Sequence, residues 1–132
     1  MQTLVWIAVG SALGGSARYG LSGAVDRVFG ETFPWGTWLV NISGCFVIGL
    51  FAALTSPDGR WFVPTAGRQF VMIGFLGGYT TFSSFALQTL NLAHVGETGR
   101  AGFYVVLTLA GCLAAVFAGD ACASALNRPG GG

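Results

Sequence analysis

Four long stretches of apolar and small residues follow one another along the chain, separated by short polar segments. Charged side chains are missing from residues 1–17, 32–57, 69–96 and 101–119. About 20 apolar residues in a helix, at about 1.5 Å per residue, cross a hydrocarbon core of about 30 Å. The pattern therefore predicts four transmembrane helices. Their expected bounds are residues 3–25, 35–54, 69–94 and 102–126.

The polar segments between these helices carry turn signals. Ser56-Pro57-Asp58-Gly59-Arg60 combines proline and glycine in one short run, which favours a turn. The prediction is an all-α integral membrane protein with a single domain over residues 1–126. Residues 127–132 are expected to form a disordered tail.

The third predicted helix contains a poor helix-forming run near its middle, Gly77-Gly78-Tyr79-Thr80-Thr81. This run predicts that the helix is broken at the membrane midplane. In lipid, such a break is tolerated only where the freed backbone groups line a cavity or are otherwise satisfied. The alternative is that the two glycines only allow a close helix crossing.

The 22 glycines indicate close helix packing. In lipid, small residues let helix backbones approach and hold together by packing. We expect such contacts both within and between subunits. The rows of small residues are Gly10 and Gly14, then Ser16, Gly20 and Ala24, and on the fourth helix Gly111, Ala115, Gly119 and Ala123.

Charge narrows the class of protein further. Only 8% of residues are charged and the net charge is +1, which excludes an electrostatic nucleic-acid binder. The arginines are divided evenly between the two sides of the predicted bundle, so they give no bias in orientation. A chain without bias can insert both ways, which predicts an antiparallel, dual-topology homodimer. One side holds Arg60, Arg68 and Arg128, and the other holds Arg27 and Arg100, with Arg18 near that end of the first helix.

The three cysteines, Cys45, Cys112 and Cys122, all lie in apolar stretches. This placement argues against a disulfide framework or a zinc site. We interpret them as small apolar packing residues.

Directly after the predicted break, Phe82-Ser83-Ser84-Phe85 places two aromatic rings on one helix face. Two aromatic rings on one face are most often packing residues. An aromatic ring also has a positive edge, so paired edges beside hydroxyl groups can bind a small anion without a fixed positive charge. Several weak donors let an ion enter and leave a pathway.

Other polar residues within the predicted helices have two interpretations each. Asn41 either bridges helices or contacts a permeant ion. Tyr104, Thr108 and Cys112 recur at i,i+4 spacing and form either a weakly polar stripe or packing and capping contacts.

Arg18 and Asp120 are the charges well inside predicted spans, and such charges are functional candidates. Within one subunit they lie at different depths. In an inverted dimer, Asp120 of one copy falls on the same side as Arg18 of the other, so we hypothesise an intersubunit pair. Arg18 could equally draw anions into a water-filled vestibule.

Three runs together strongly resemble the Fluc (CrcB-type) bacterial fluoride channels. The resemblance covers the chain to about residue 126. The runs are Gly14-Gly15-Ser16-Ala17-Arg18-Tyr19, Gly36-Thr37-Trp38-Leu39-Val40-Asn41-Ile42-Ser43-Gly44, and Gly74-Phe75-Leu76-Gly77-Gly78-Tyr79-Thr80-Thr81-Phe82-Ser83-Ser84-Phe85.

The resemblance implies a dual-topology dimer in the bacterial cytoplasmic (inner) membrane. Its two separate pathways would export fluoride passively down its electrochemical gradient and relieve fluoride toxicity. It further implies a central structural sodium ion on the two-fold axis, held by backbone carbonyls of Gly77 and Thr80.

The same resemblance assigns residues to the fluoride pathway. Many family members have a hydroxyl residue where this chain has Cys112, so that position departs from the pattern. The residues implied are Asn41, the pair Phe82 and Phe85 with Ser83 and Ser84, then Tyr104 and Thr108, and Arg18 near the pore mouth.

Two other classes compete with a channel, and none of the three is an enzyme. A proton-coupled exporter resembling the small multidrug resistance proteins also uses four helices and dual topology. It needs a membrane-buried carboxylate in the first helix, where the predicted span has none, so Asp120 would have to serve. A small structural subunit explains the glycines but not a broken helix with a polar and aromatic lining.

Overall fold

The computed structural model describes residues 1–130, and this part of the chain contains helices and no strand. Helix α1 comprises Gln2–Phe29 and helix α2 comprises Trp35–Leu54. Helix α3 covers residues 65–79 and consists of Thr65–Gln69, a wider π-helical segment Phe70–Phe75, and Leu76–Tyr79. Helix α4 comprises Phe82–His94 and helix α5 comprises Thr98–Asn127. Thus α3 and α4 are the two halves of the third predicted helix.

Three helical stretches among the described residues are long and apolar enough to cross a membrane: Trp35–Leu54, Thr65–His94 and Thr98–Asn127. With its 28 residues, α1 has the length to cross as well. Its composition is less apolar because Arg18, Asp26 and Arg27 all lie within it. The predicted all-helical fold is confirmed, and four long helical segments fit the prediction.

Helix ends differ from the predicted bounds. The first helix does not stop at residue 25 but continues to Phe29. Two interactions stabilise its last turn. Gly30 adopts φ 83° and donates its N–H to the Asp26 carbonyl at 2.8 Å. Arg27, a cation at the negative end of the helix dipole, also donates to the Gly23 carbonyl at 3.3 Å. The last helix begins at Thr98 rather than residue 102.

Asn127, predicted to start the tail, is the last residue of α5. Its Oδ1 accepts the Arg60 N–H at 3.0 Å, and its Nδ2 donates to the Ala53 carbonyl at 3.1 Å. The side chain therefore ties the end of α5 to the loop after α2. Residues 131 and 132 of the predicted tail lie outside the described residues.

Helices α2 and α5 run parallel to each other. Near the start of α2, Trp38 Nε1 donates to the Leu107 carbonyl at 3.4 Å. Near its end, Ala53 accepts from Asn127 at 3.1 Å. Contacts advance along both helices in the same direction, so residues that contact each other across α2 and α5 lie at the same depth in the bundle.

Glycines bring these helices close together, as the sequence predicts for contacts within a subunit. A Cβ on Gly14 would collide with the Phe75 carbonyl oxygen, and one on Gly10 would lie 2.7 Å from the Phe70 carbonyl oxygen, so α1 packs directly on the α3 backbone. A Cβ on Gly119 would collide with the α2 backbone.

The row formed by Ser16, Gly20 and Ala24 is exposed on the subunit surface. It therefore makes no close contact within the subunit. The predicted packing of this row between subunits stays a prediction.

Candidate ion pathway

The break in the third predicted helix is two residues long. Thr80 (φ −83°, ψ 157°) and Thr81 (φ −150°, ψ 118°) are extended, whereas Gly77 and Gly78 remain helical. The predicted break is therefore confirmed in part and lies at its C-terminal end. β-branched residues favour extended backbone, and Thr81 also caps α4 because its Oγ1 accepts the Ser84 N–H at 3.2 Å.

Asn41 of α2 holds the broken backbone by two hydrogen bonds. The Thr81 N–H donates to Asn41 Oδ1 at 2.7 Å, and Asn41 Nδ2 donates to the Thr81 carbonyl at 2.9 Å. Asn41 is 6% exposed. Of the two roles predicted for Asn41, the bridge between helices is present in the structure. The second role, contact with an ion, stays a prediction; the carboxamide nitrogen has a second N–H that can donate to another acceptor.

These bonds release two backbone carbonyls. In an uninterrupted helix the Thr81 N–H would reach the Gly77 carbonyl and the Ser84 N–H would reach the Thr80 carbonyl. Both donors are instead bonded to side chains, as described above. Gly77 is exposed on the subunit surface, so this end of the break can be reached from outside the subunit.

Arg18 reaches the same region from α1. Its Nε donates to the Gly78 carbonyl at 3.1 Å, and the residue is half-buried. Asp120 is exposed on α5, and the ion pair found within residues 1–130 joins Glu97 and Arg100 at 3.2 Å. Arg18 and Asp120 are thus unpaired with each other in one subunit, as their predicted depths require, and the pair across a dimer stays a prediction.

A cavity of about 290 Å³ lies beside the break, and we call it the inner cavity. It brings together residues that the sequence placed on three helices. Thr108 is 4% exposed, and its Oγ1 has no hydrogen-bond partner among the described residues. Because buried hydroxyls are nearly always satisfied, this one points to a ligand or water in the cavity. The lining includes Asn41, Cys45, Thr80, Thr81, Phe82, Phe85, Thr108 and Cys112.

The two phenylalanines form an edge-on pair at the wall of the inner cavity. Their ring centroids are 5.4 Å apart with planes inclined by 64°. Phe85 is 5% exposed, while Phe82 is 73% exposed and projects from the subunit. Of the two serines between them, Ser83 is exposed, and Ser84 is bonded through its hydroxyl to Thr81 at 3.1 Å.

A chain of polar side chains continues from the inner cavity, and it includes residues that the sequence analysis missed. The fully buried Tyr104 donates its hydroxyl to Gln88 Oε1 at 2.8 Å, and Gln88 Nε2 donates to Thr37 Oγ1 at 2.8 Å. Gln88 is detectable in the sequence as one of three amide side chains, with Gln69 and Asn91, in the charge-free stretch 69–96. Its partners, however, lie on α2 and α5, and only the packing shows them.

Gln88 also lines a second cavity of about 450 Å³ near the loop after α1, which we call the outer cavity. Asp26, Glu31 and Glu97 supply carboxylates to its wall, and Arg100 supplies a cation. Gln88 therefore connects the outer cavity to the buried Tyr104 and Thr37.

The longer α1 corrects one expectation, because the first helix does carry a carboxylate, Asp26. This carboxylate lies about 12 Å along the helix from Arg18, at about 1.5 Å per residue. Its Oδ1 accepts the Gly36 N–H at 3.1 Å at the start of α2. Asp26 is thus a helix-end residue of the outer cavity and not a carboxylate buried at the level of the break.

These features define a class: a multi-pass helical membrane protein with a broken helix and, beside the break, a largely apolar cavity into which a few polar side chains project. Residues 5–120 match the family model described as CrcB-like protein, Camphor Resistance (CrcB). The chain belongs to this family.

Curated relatives match over nearly their full length. The chain is 56% identical over 127 residues to the Fluoride-specific ion channel FluC of Opitutus terrae, a match that covers 96% of each chain. It is 52% identical over 124 residues to the protein of the same name from Methylocella silvestris, covering 94% of this chain and 95% of that one. The Rhodospirillum rubrum protein of that name is 52% identical over 127 residues, covering 96% of this chain and 98% of that one. These relatives are named as ion channels and not as enzymes.

Proposed function

We propose that this protein is a fluoride-selective channel that exports fluoride passively from the cytoplasm of a bacterium across its inner membrane, which relieves fluoride toxicity. The observation that carries the proposal is the inner cavity, where a buried hydroxyl without a partner, Thr108, faces the same space as Asn41 and Phe85. The names of the relatives supply the identity of the ion.

The lining suits a small anion that must both bind and leave. Amide N–H, hydroxyl and aromatic edge groups are each weakly positive donors. Arg18 is not among the residues that line the inner cavity, because its guanidinium is directed to the Gly78 carbonyl. An anion in this cavity therefore meets several weak donors and no fixed cation, so it can move on.

Two copies in opposite orientation form the working unit in this proposal. The even division of the arginines permits either orientation, and an inverted pair places the breaks of both copies at one depth. The exposed ring of Phe82 and the exposed Gly77 supply a surface near the break for the second copy. Since each subunit has one inner cavity, the dimer has two fluoride pathways.

A sodium ion fits the centre of this dimer. The carbonyl oxygens of Gly77 and Thr80 are freed by the break, and two such oxygens from each copy would surround the ion as carbonyls do in cation-selective filters. When bound, sodium supplies a positive charge that holds the two breaks together. The neighbouring Gly78 carbonyl is already occupied by Arg18 and is not part of the proposed ligand set.

The test uses purified protein in liposomes loaded with fluoride or with chloride. Rapid electrogenic efflux of fluoride, with chloride retained, is expected. Absence of fluoride efflux would falsify the proposal. Efflux of a cationic drug against a proton gradient would instead support the exporter class.

A residue-level arm of the same experiment uses Phe82→Ile. This substitution removes the ring edge but keeps an apolar side chain on the exposed surface. Fluoride efflux should fall while the protein still runs as a dimer in size-exclusion chromatography. Wild-type efflux in this variant would remove the aromatic pair from the pathway.

A further inference from the structure

The inner cavity contains a second pair of facing side chains, one helical turn beyond the polar pair. On α2, Cys45 follows Asn41 by four residues, and on α5, Cys112 follows Thr108 by four residues. Residues at this spacing share a helix face. The cavity therefore presents an amide and a hydroxyl at one level and two thiols at the next, and all four residues line it.

The packing of α2 on α5 brings the two thiols to the same depth. On one side of them, a Cβ on Gly111 would lie 2.5 Å from Ile42 Cδ1, and on the other side Gly49 packs directly on the Val116 backbone. Both cysteines lie between these two contacts, which fix the register of the parallel helices. Both cysteines line this cavity from opposite helices, and both residues are half-buried.

Two facing thiols select among metal ions by ligand number and softness. Thiolate sulfur prefers soft ions. A tetrahedral zinc site needs further nitrogen, oxygen or sulfur ligands, and no group of three or more His, Cys, Asp or Glu suited to a metal occurs among residues 1–130. The two cysteines are therefore suited to a soft metal ion that binds two sulfur ligands in linear coordination.

The net charge of the metal–thiolate complex favours a dication over a monocation. Metal ligation requires both thiols to lose their protons. Two thiolates and a monocation would leave a net negative charge in an apolar cavity, which is costly. Two thiolates and a dication are neutral.

We propose that Cys45 and Cys112 form a two-thiol site for a soft dication of the mercury(II) type, and that occupation of this site closes the ion pathway. In this step two S–H bonds break, two sulfur–metal bonds form and two protons leave, with no change of oxidation state. The transport consequence rests on the proposed channel function, whereas the metal site itself does not.

The experiment uses the full-length dimer carrying Cys122→Ser, which removes the exposed third thiol. Mercuric chloride is added in measured steps to the purified protein. Thiols that mercury leaves free are alkylated while the protein is still folded and are then counted by mass spectrometry, and fluoride efflux is measured after reconstitution. One equivalent per chain should consume both remaining thiols and lower fluoride efflux to the level of protein-free liposomes, and excess dithiothreitol should restore both.

The matched variant adds Cys112→Ser and leaves a single thiol in the cavity. One equivalent of mercury per chain should no longer inhibit fluoride efflux in this variant, when efflux is expressed relative to the variant's own rate without metal. Consumption of one thiol per ion in the two-thiol protein would overturn the bidentate site. Full efflux with both thiols consumed would overturn the closure.

Failure of the proposed function has a different signature. If fluoride efflux is absent before any metal is added, the channel proposal fails. The thiol count per metal ion still tests the site in that case.

Discussion

Removing the side chain of Asn41 tests whether the broken helix is held by one residue. Asn41→Ala deletes both bonds to Thr81, of 2.7 and 2.9 Å, at a position that is only 6% exposed. The Thr81 N–H has no other partner while the backbone stays extended, whereas the Thr81 carbonyl, which belongs to the N-cap residue of α4, still accepts the first bond of that helix. The N–H left without a partner costs about 1–3 kcal/mol and the lost second bond to the carbonyl about 0.5–1.5 kcal/mol, so we expect a loss of about 1.5–4.5 kcal/mol in the free energy of unfolding.

The matched control is Ser43→Ala, two residues away on the same helix. Ser43 donates to the Val40 carbonyl at 3.1 Å, within its own helix. It is also bonded to the Tyr79 hydroxyl at 2.8 Å, a contact between side chains that leaves the backbone break untouched. Its loss should cost about 0.5–1.5 kcal/mol, the usual net value of one such bond. The difference in the free energy of unfolding between the two variants isolates the contribution of the bonds from Asn41 to the Thr81 backbone.

Two measurements check this prediction. Unfolding of the two variants and the wild type is followed by circular dichroism in mixed micelles with increasing sodium dodecyl sulfate, at one protein concentration. Fluoride efflux from liposomes is measured in parallel and should fall strongly in Asn41→Ala and little in Ser43→Ala. If Asn41→Ala is no less stable than Ser43→Ala, the reasoning about the break is wrong.

Three further substitutions test the packing, the cavity and the dimer. Gly14→Ala should destabilise the fold by about 1–3 kcal/mol through overpacking, whereas the control Gly102→Ala, whose added Cβ meets nothing within 4 Å, should not; equal melting temperatures would refute the close helix contact. Thr108→Val should preserve stability, since its hydroxyl has no protein partner, but should lower fluoride efflux; unchanged efflux would exclude the hydroxyl from the pathway. Asp120→Asn should weaken the dimer in a subunit-exchange assay if the residue pairs with Arg18 of the other copy, and unchanged exchange and efflux would count against that pair.

The sequence was most informative where one physical rule dominated. Lipid imposes long charge-free helices, so the number of helical segments and the presence of a break could be predicted. Helix ends are harder to predict from the sequence, because a charged residue does not by itself end a helix. In the structure Asp26 and Arg27 belong to the last turn of α1, where an arginine is favourable at the helix C-terminus.

The position of the break shows a second limit. Glycine is a poor helix former, so Gly77 and Gly78 were expected to be part of the break. In the structure both are helical, and a Cβ on Gly78 would lie 2.5 Å from the Ser11 carbonyl oxygen. At Gly78, close approach to α1 is what requires glycine, and the break itself falls on Thr80 and Thr81.

The candidate site was predictable only as separate polar residues. That Asn41 bonds Thr81, or that Gln88 joins Tyr104 to Thr37, depends on the packing of different helices. Periodicity on one helix carries no information about such partners. The thiol pair was missed for the same reason, since each cysteine alone was interpreted as a packing residue.

The double role of Asn41 has a consequence for how this protein can evolve. One side chain both holds the extended backbone and faces the cavity, so a substitution that alters ion preference also removes part of the fold's stability. Natural proteins hold only a small stability reserve. A lineage that changes selectivity at this position must therefore acquire compensating mutations elsewhere first, and the tightly packed glycine contacts leave few places for them. Random mutagenesis for new selectivity should accordingly recover Asn41 variants mainly from a previously stabilised parent.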